Sequence, residues 1–160
     1  MSIKRLQTEL INIKKDIDYF YSVEPNLNNF FEWNFIIIGP PDTMYEFGIF
    51  KGKIVFPKEY PDRPPKVYFI SDILHPNVYK ENGLVCISIL HEGEDSWGYE
   101  HLSERWKPNH GVNSIMVSII SLFSDPNFES PANVDASVLW KDNKELFKKK
   151  IYSLVSKSQI

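Results

Sequence analysis

The sequence predicts an α+β domain in which helices sit at the two ends and an antiparallel sheet lies between them. Three observations carry this. All 11 prolines fall between Pro25 and Pro131 and all 7 glycines between Gly39 and Gly111, so both ends lack the two strongest helix breakers. Three short segments rich in β-branched and aromatic residues follow the first end. The connections between them run to roughly ten residues, too short for crossover helices, which favours an antiparallel meander and segregates the helices from the sheet.

At the front, Ile3, Leu6, Leu10, Ile13 and Ile17 recur at spacings of 3, 4, 3 and 4, with Lys4, Arg5, Lys14 and Lys15 off the stripe: an amphipathic helix. The strand candidates are Phe31–Ile38, Gly48–Phe56 and Lys66–Ile70. Gly39-Pro40-Pro41-Asp42 and then Pro57 to Pro61 supply the turns. Ser71 to Asn109 has no long periodic segment, yet it holds three of the four histidines and the only cysteine, Cys86. A stretch of that length in a domain is commonly functional. Val112–Phe123 is almost wholly apolar and reads as a buried central helix. Near the end, Asp142 with Glu145 forms a capping-box-like start. Leu146, Phe147, Ile151, Leu154 and Val155 continue a helical face, and Lys148 to Lys150 solvate its back.

The 160 residues suit one domain, 1–160, since a chain near this size buries roughly 68–70% of its unfolded surface. Eleven Phe, 8 Tyr and 4 Trp argue against disorder. Eighteen basic against 21 acidic residues give a formal charge of −3, which argues against nonspecific nucleic-acid binding. A single cysteine excludes an intramolecular disulfide framework and every multi-cysteine metal motif. No apolar run approaches the ~18 residues that would span a bilayer, and Met1–Lys15 lacks a leader's apolar core. The expectation is a protein of the reducing cytosol or nucleus, with no metal.

A lone cysteine is most often a small buried hydrophobe. A hydrolase nucleophile would need a histidine base with an orienting group, and His75, His91, His101 and His110 are all available. Spacing alone leaves that reading open.

His75-Pro76-Asn77, followed nine residues later by Cys86 within Gly83-Leu84-Val85-Cys86-Ile87-Ser88-Ile89-Leu90, resembles the active-site segment of the ubiquitin-conjugating enzymes. Tyr60-Pro61-Asp62-Arg63-Pro64-Pro65-Lys66, Ile38 to Glu46 and Asp125-Pro126-Asn127 are similar to that family's other landmarks, in the same order. The resemblance covers nearly the whole chain. It implies a four-stranded meander with a central helix and C-terminal helices. It also implies Cys86 as the acceptor of ubiquitin from an activating enzyme, a protein lysine as the recipient, no bound cofactor, and ATP consumed only by the activating enzyme.

Trp106-Lys107-Pro108 begins 20 positions after Cys86, against about eight in most members. The extra residues, about 91–104, hold Glu92, Glu94, Asp95, Glu100 and Glu104 and no Lys or Arg. With Ser130 to Ala136 this is similar to the acidic-loop subgroup, closest to the G-type, which is associated with chains linked through lysine 48 of ubiquitin.

The resemblance further implies roles for single residues. Asn77 would donate to the oxyanion or brace its loop, and Tyr79 matches an aromatic used by some members. Ser88 and Ser130 stand where many members carry Asp, so Glu92, Glu94, Asp95 or Asp135 is expected to replace that carboxylate. A surface for the activating enzyme and a RING-type ligase would comprise Lys4, Arg5, Asp62, Lys107 and Pro108. The rival to these expectations, beside the hydrolase, is a silent module that only presents ubiquitin or a ligase.

Overall fold

A computed structural model describes residues 2–93, 95–98 and 100–160. Helix α1 (Ser2–Lys15) leads into a four-stranded antiparallel sheet, β1 (Tyr21–Asn26), β2 (Asn29–Ile38), β3 (Ile49–Val55) and β4 (Lys66–Phe69), ordered as in the chain. After a long irregular stretch come α2 (Val112–Leu122), α3 (Val134–Asp142) and α4 (Lys144–Ser158). This is the α+β meander that the sequence predicts. Among the described residues no helix is long and apolar enough to cross a membrane.

Alternation decides which face of the sheet is covered. Trp33, Phe35 and Ile37 of β2, Phe50 and Ile54 of β3, and Val67 and Phe69 of β4 are buried, while Asn34, Ile36 and Ile38 face out. Gly52 pairs with Phe35 on one side and Phe69 on the other, and those two rings meet edge to face at 5.4 Å. A Cβ on Gly52 would run into the Phe35 ring and the Tyr68 carbonyl, so the missing side chain is what admits the aromatic pair.

Strand β1 escapes the sequence reading. Only Tyr21 and Val23 of it are buried, and Pro25 sits at a register shift. As an edge strand, β1 tolerates a residue with no N–H to donate.

At the front, the expected stripe is cut short. Leu6 is fully buried and Leu10 and Ile13 pack partly, but Ile3 is half exposed and Ile17 lies beyond the helix end, 75% exposed. The chain turns away there, with Asp18 accepting from the Phe20 N–H at 2.7 Å. Glu9 carries α1's main polar tie: it accepts from Val112 N at 2.7 Å, placing a carboxylate on the first turn of α2.

Helix α2 buries Val112, Ile115, Met116 and Ile119 but leaves Val117 half exposed, so it is amphipathic rather than buried all round. The cap of α4 is Asn143, whose side chain accepts from Leu146 N; Asp142 closes α3 instead of opening the next helix. Phe147, Ile151 and Val155 form the buried face of α4, and Leu146 lies outside it.

Candidate functional site

Between β4 and α2 the chain makes two antiparallel bridges, Tyr68↔Leu84 and Val78↔Val85, which deliver Cys86 at the end of an extension of the sheet. Gly83 makes the intervening turn possible. Its φ is +77°, it donates to Tyr79 O and accepts from Phe69 N, each at 2.8 Å, and a Cβ there would collide with the Phe69 carbonyl. Cys86 is half-buried, with its amide donating to Asn77 O at 2.8 Å. Cys86 is therefore not among the core residues.

Asn77 is 1% exposed. Its side-chain NH₂ donates to Asn127 O at 2.8 Å and its Oδ1 accepts from Asn127 N at 2.9 Å. Asn133 N donates to Pro76 O at 2.9 Å. These bonds lace residues 127–133 to the segment that holds Cys86, bringing Ser130 and Asp135, both exposed, to that side of the molecule. Tyr79 is 39% exposed on the same segment, and Ser88 opens the 3₁₀ turn Ser88–Leu90 that follows the cysteine.

His75 is structural. Its Nε2–H donates to Leu122 O at 2.7 Å, and its Nδ1 accepts from Asn77 N at 2.9 Å. Burial pushes its pKa down from 6.5 to about 4, partly opposed by the bond to Leu122. Above pH 6.5 the ring is neutral in both folded and unfolded chains. As pH falls below 6.5 the unfolded chain takes up a proton that the folded one refuses, so stability declines down to about pH 4 and is level below. Urea midpoints across that window should show a loss of up to about 3 kcal/mol from this group, and H75Q should flatten the slope.

His91 is the residue the sequence reading leaves among four candidates. Its amide donates to Ser88 O and its carbonyl accepts from Trp106 N, both at 2.9 Å, which pins the residue at the mouth of the insert. Its Nε2 stands 3.6 Å from Cys86 Sγ, and its Nδ1 lies 2.9 and 3.1 Å from the two oxygens of Glu100. The contact with Cys86 is the largest influence on the imidazole; with Glu100 it raises the pKa above the ordinary histidine value, against the lowering effect of burial. Glu100 in turn receives Arg105 Nη1 at 2.5 Å, while Arg105 Nε and Nη2 donate to Gly93 O and Glu92 O at 2.7 Å. The signal in the sequence was a histidine one 3₁₀ turn after the cysteine, and a base, Arg105, one residue past the acidic run.

The carboxylates of the insert thus have separate duties. Glu92 pairs with Arg63 at 2.9 Å, and Asp95 accepts from Trp97 N and Glu100 N. Glu104 is exposed, and Glu94 lies outside the described residues. Among the described residues no group of three or more His, Cys, Asp or Glu side chains is placed to hold a metal ion.

The expected docking residues gather at one end. Ser2 Oγ donates to Lys58 O, Arg5 Nη2 to His110 O and Trp106 Nε1 to Pro61 O, which joins the start of α1 to the loops bearing Asp62 and Lys107-Pro108. Lys4, Asp62, Lys107 and Pro108 are exposed there, whereas Arg5 is bound to Glu9 and to the His110 carbonyl.

A family model described as ubiquitin-conjugating enzyme matches residues 5–155. Ubiquitin-conjugating enzyme E2 7 of Arabidopsis thaliana is 53% identical over 156 residues, 96% of this chain and 93% of that protein. The probable ubiquitin-conjugating enzyme E2 7 of Caenorhabditis elegans is 49% identical over 156 residues, 96% of this chain and 94% of that protein. Ubiquitin-conjugating enzyme E2 G2 of Homo sapiens is 49% identical over 134 residues, 83% of this chain and 81% of that protein. With a meander sheet that presents one half-buried cysteine beside a buried His-Pro-Asn, these matches establish that the chain belongs to the ubiquitin-conjugating enzymes, transferases that work through a cysteine thioester.

Proposed function

We propose that Cys86 accepts the C-terminal carboxyl of ubiquitin from the activating enzyme and yields it to lysine, and that with a RING-type ligase the chain joins ubiquitins through lysine 48. The observation that carries this reading is the partly exposed side chain of the only cysteine, on a segment braced by Asn77, with His91 at the start of the acidic insert against it. The exposed cluster of Lys4, Asp62, Lys107 and Pro108 supports a docking face for activating enzyme and ligase. The lysine-48 linkage rests on the likeness of the insert to the acidic-loop subgroup, and the workplace we propose is the cytosol or nucleus.

The difficult step is aminolysis. A lysine of pKa about 10.4 is neutral in only about one molecule in a few thousand at pH 7. Desolvation beside the thioester lowers that pKa, and carboxylates of the insert (Glu92, Glu94 or Asp95) or Asp135 orient the amine electrostatically as it approaches. The absence of Asp at Ser88 and Ser130 leaves that duty to the insert and α3.

Mixing the protein with activating enzyme, ubiquitin and ATP should give an ATP-dependent adduct that reductant dissolves. With a RING ligase, chain growth should stop with ubiquitin lacking lysine 48. Cleavage of ubiquitin conjugates without ATP would instead identify a cysteine hydrolase, and no adduct at all would identify a silent module.

A further inference from the structure

We propose that His91 is a catalytic proton carrier at Cys86, held in the working tautomer by Glu100, with Arg105 as the positioning residue behind that carboxylate. This rests on the reading of Cys86 as ubiquitin acceptor. The geometry settles the direction of the ring. Nδ1 faces a carboxylate that can only accept, so Nδ1 carries the hydrogen, and in the neutral imidazole the lone pair is on Nε2, 3.6 Å from Sγ. The carboxylate is held in place by the guanidinium of Arg105, which also grips two carbonyls of the insert. Main-chain bonds on both sides of His91, to Ser88 and from Trp106, fix its backbone, and the bond from Nδ1 to Glu100 holds the ring. Among the described residues, the charged and titratable groups around it are Cys86 and Glu100 in contact, Arg105 behind Glu100, and Glu92 and Asp95, engaged by Arg63 and by loop amides respectively.

In charging, Nε2 takes the Sγ proton as Sγ bonds to the ubiquitin carbonyl carbon. The bond from that carbon to the activating enzyme's sulfur breaks, and the departing thiolate takes that same proton from Nε2, so the exchange is proton-neutral and the imidazole ends neutral. In discharge, a neutral amine nitrogen bonds to the same carbon and the carbon–Sγ bond breaks. The proton released by the new amide nitrogen passes through Nε2 to Sγ, leaving a free thiol and a neutral imidazole. One ring serves both half-reactions because the thiol is nucleophile in the first and leaving group in the second.

Three measurements test this. Alkylation of the uncharged protein by iodoacetamide across the neutral range should titrate in two steps, belonging to the coupled Cys86–His91 pair, and H91Q should reduce them to one. Preformed thioester should discharge to free lysine about 10²-fold more slowly in H91Q, and charging should slow as well. Discharge by H91A should be restored by added imidazole, while E100Q should move the His91 step to lower pH.

The inference is overturned if H91Q alkylates and discharges as the wild type does at every pH. It is equally overturned if H91Q is slow but keeps both steps and imidazole does not restore H91A, because the ring is then only a strut. The alkylation readout needs no ubiquitin. A wild type that shows two steps yet never takes ubiquitin would overturn the transferase reading and the transfer steps with it, while leaving the proton link between the two side chains.

Discussion

Exchange of Cys86 for serine is expected to abolish transfer to lysine while leaving a ubiquitin adduct that survives reductant. The substitution changes one half-buried atom on a segment fixed by main-chain bonds, so the fold should be unaffected. What changes is the leaving group. A free thiol ionises near pH 8.5 and departs readily from an acyl carbon, whereas an alkoxide is a far stronger base. Discharge from the oxyester should fall by at least about 10³-fold, equivalent to ~4 kcal/mol of barrier. Non-reducing and reducing gels read the adduct, and a lysine chase reads its fate. C86A should form no adduct. An ATP-dependent adduct of unchanged yield in C86A, necessarily resistant to thiol because no other cysteine remains, would move the acceptor elsewhere and remove the proposed function.

Removing the Asn77 side chain should slow discharge by about 10²–10³-fold while charging stays closer to wild type. The amide nitrogen carries two hydrogens, and Asn127 O takes one of them. The resemblance implies that the other serves the developing oxyanion of the thioester, and this variant tests that role. N77A also strips both partners from the Asn127 main chain, whose N–H and C=O can turn to solvent at this exposed residue, so a modest loss of stability accompanies the kinetic effect. The two effects separate cleanly through N127A. Asn127 meets Asn77 through its backbone, so N127A should keep the clasp and near-normal discharge. Equal slowing of charging and discharge in single-turnover assays of N77A would reduce Asn77 to a brace. The contrast with His91, whose loss should slow both half-reactions, makes the pair of variants informative together.

Most of the scaffold was legible because its signals are local. Phe31–Ile38, Gly48–Phe56, Lys66–Ile70 and Val112–Phe123 lie within two residues of the observed β2, β3, β4 and α2, since alternation and apolar runs register burial directly. Strand β1 was not, because Ser22, Glu24, Pro25 and Asn26 leave too few apolar positions, and pairing with β2 supplies what propensity does not. Ile17 continued a stripe that the chain does not follow, since a turn anchored by Asp18 ends the helical geometry before it.

At the site, Cys86 and Asn77 were legible through a motif, whereas the link from Cys86 through His91 and Glu100 to Arg105 was not. The insert read as a run of carboxylates with no base. Only its return beside its own starting point brings Glu100 within 2.9 Å of His91 and lets Arg105, outside the run, answer the charge. Periodicity carries no information about such a return.

The hydrogen bond from the Trp106 amide to the His91 carbonyl makes residues 92–105 an excursion whose two ends are already together. Lengthening a chain between joined ends costs little, about 0.6 kcal/mol for each doubling. The scaffold can therefore exchange short excursions for long ones with its sheet and helices thermodynamically indifferent. Acceptor geometry in this architecture is adjustable by insertion and deletion, a coarser and faster route to new specificity than replacing core side chains one at a time.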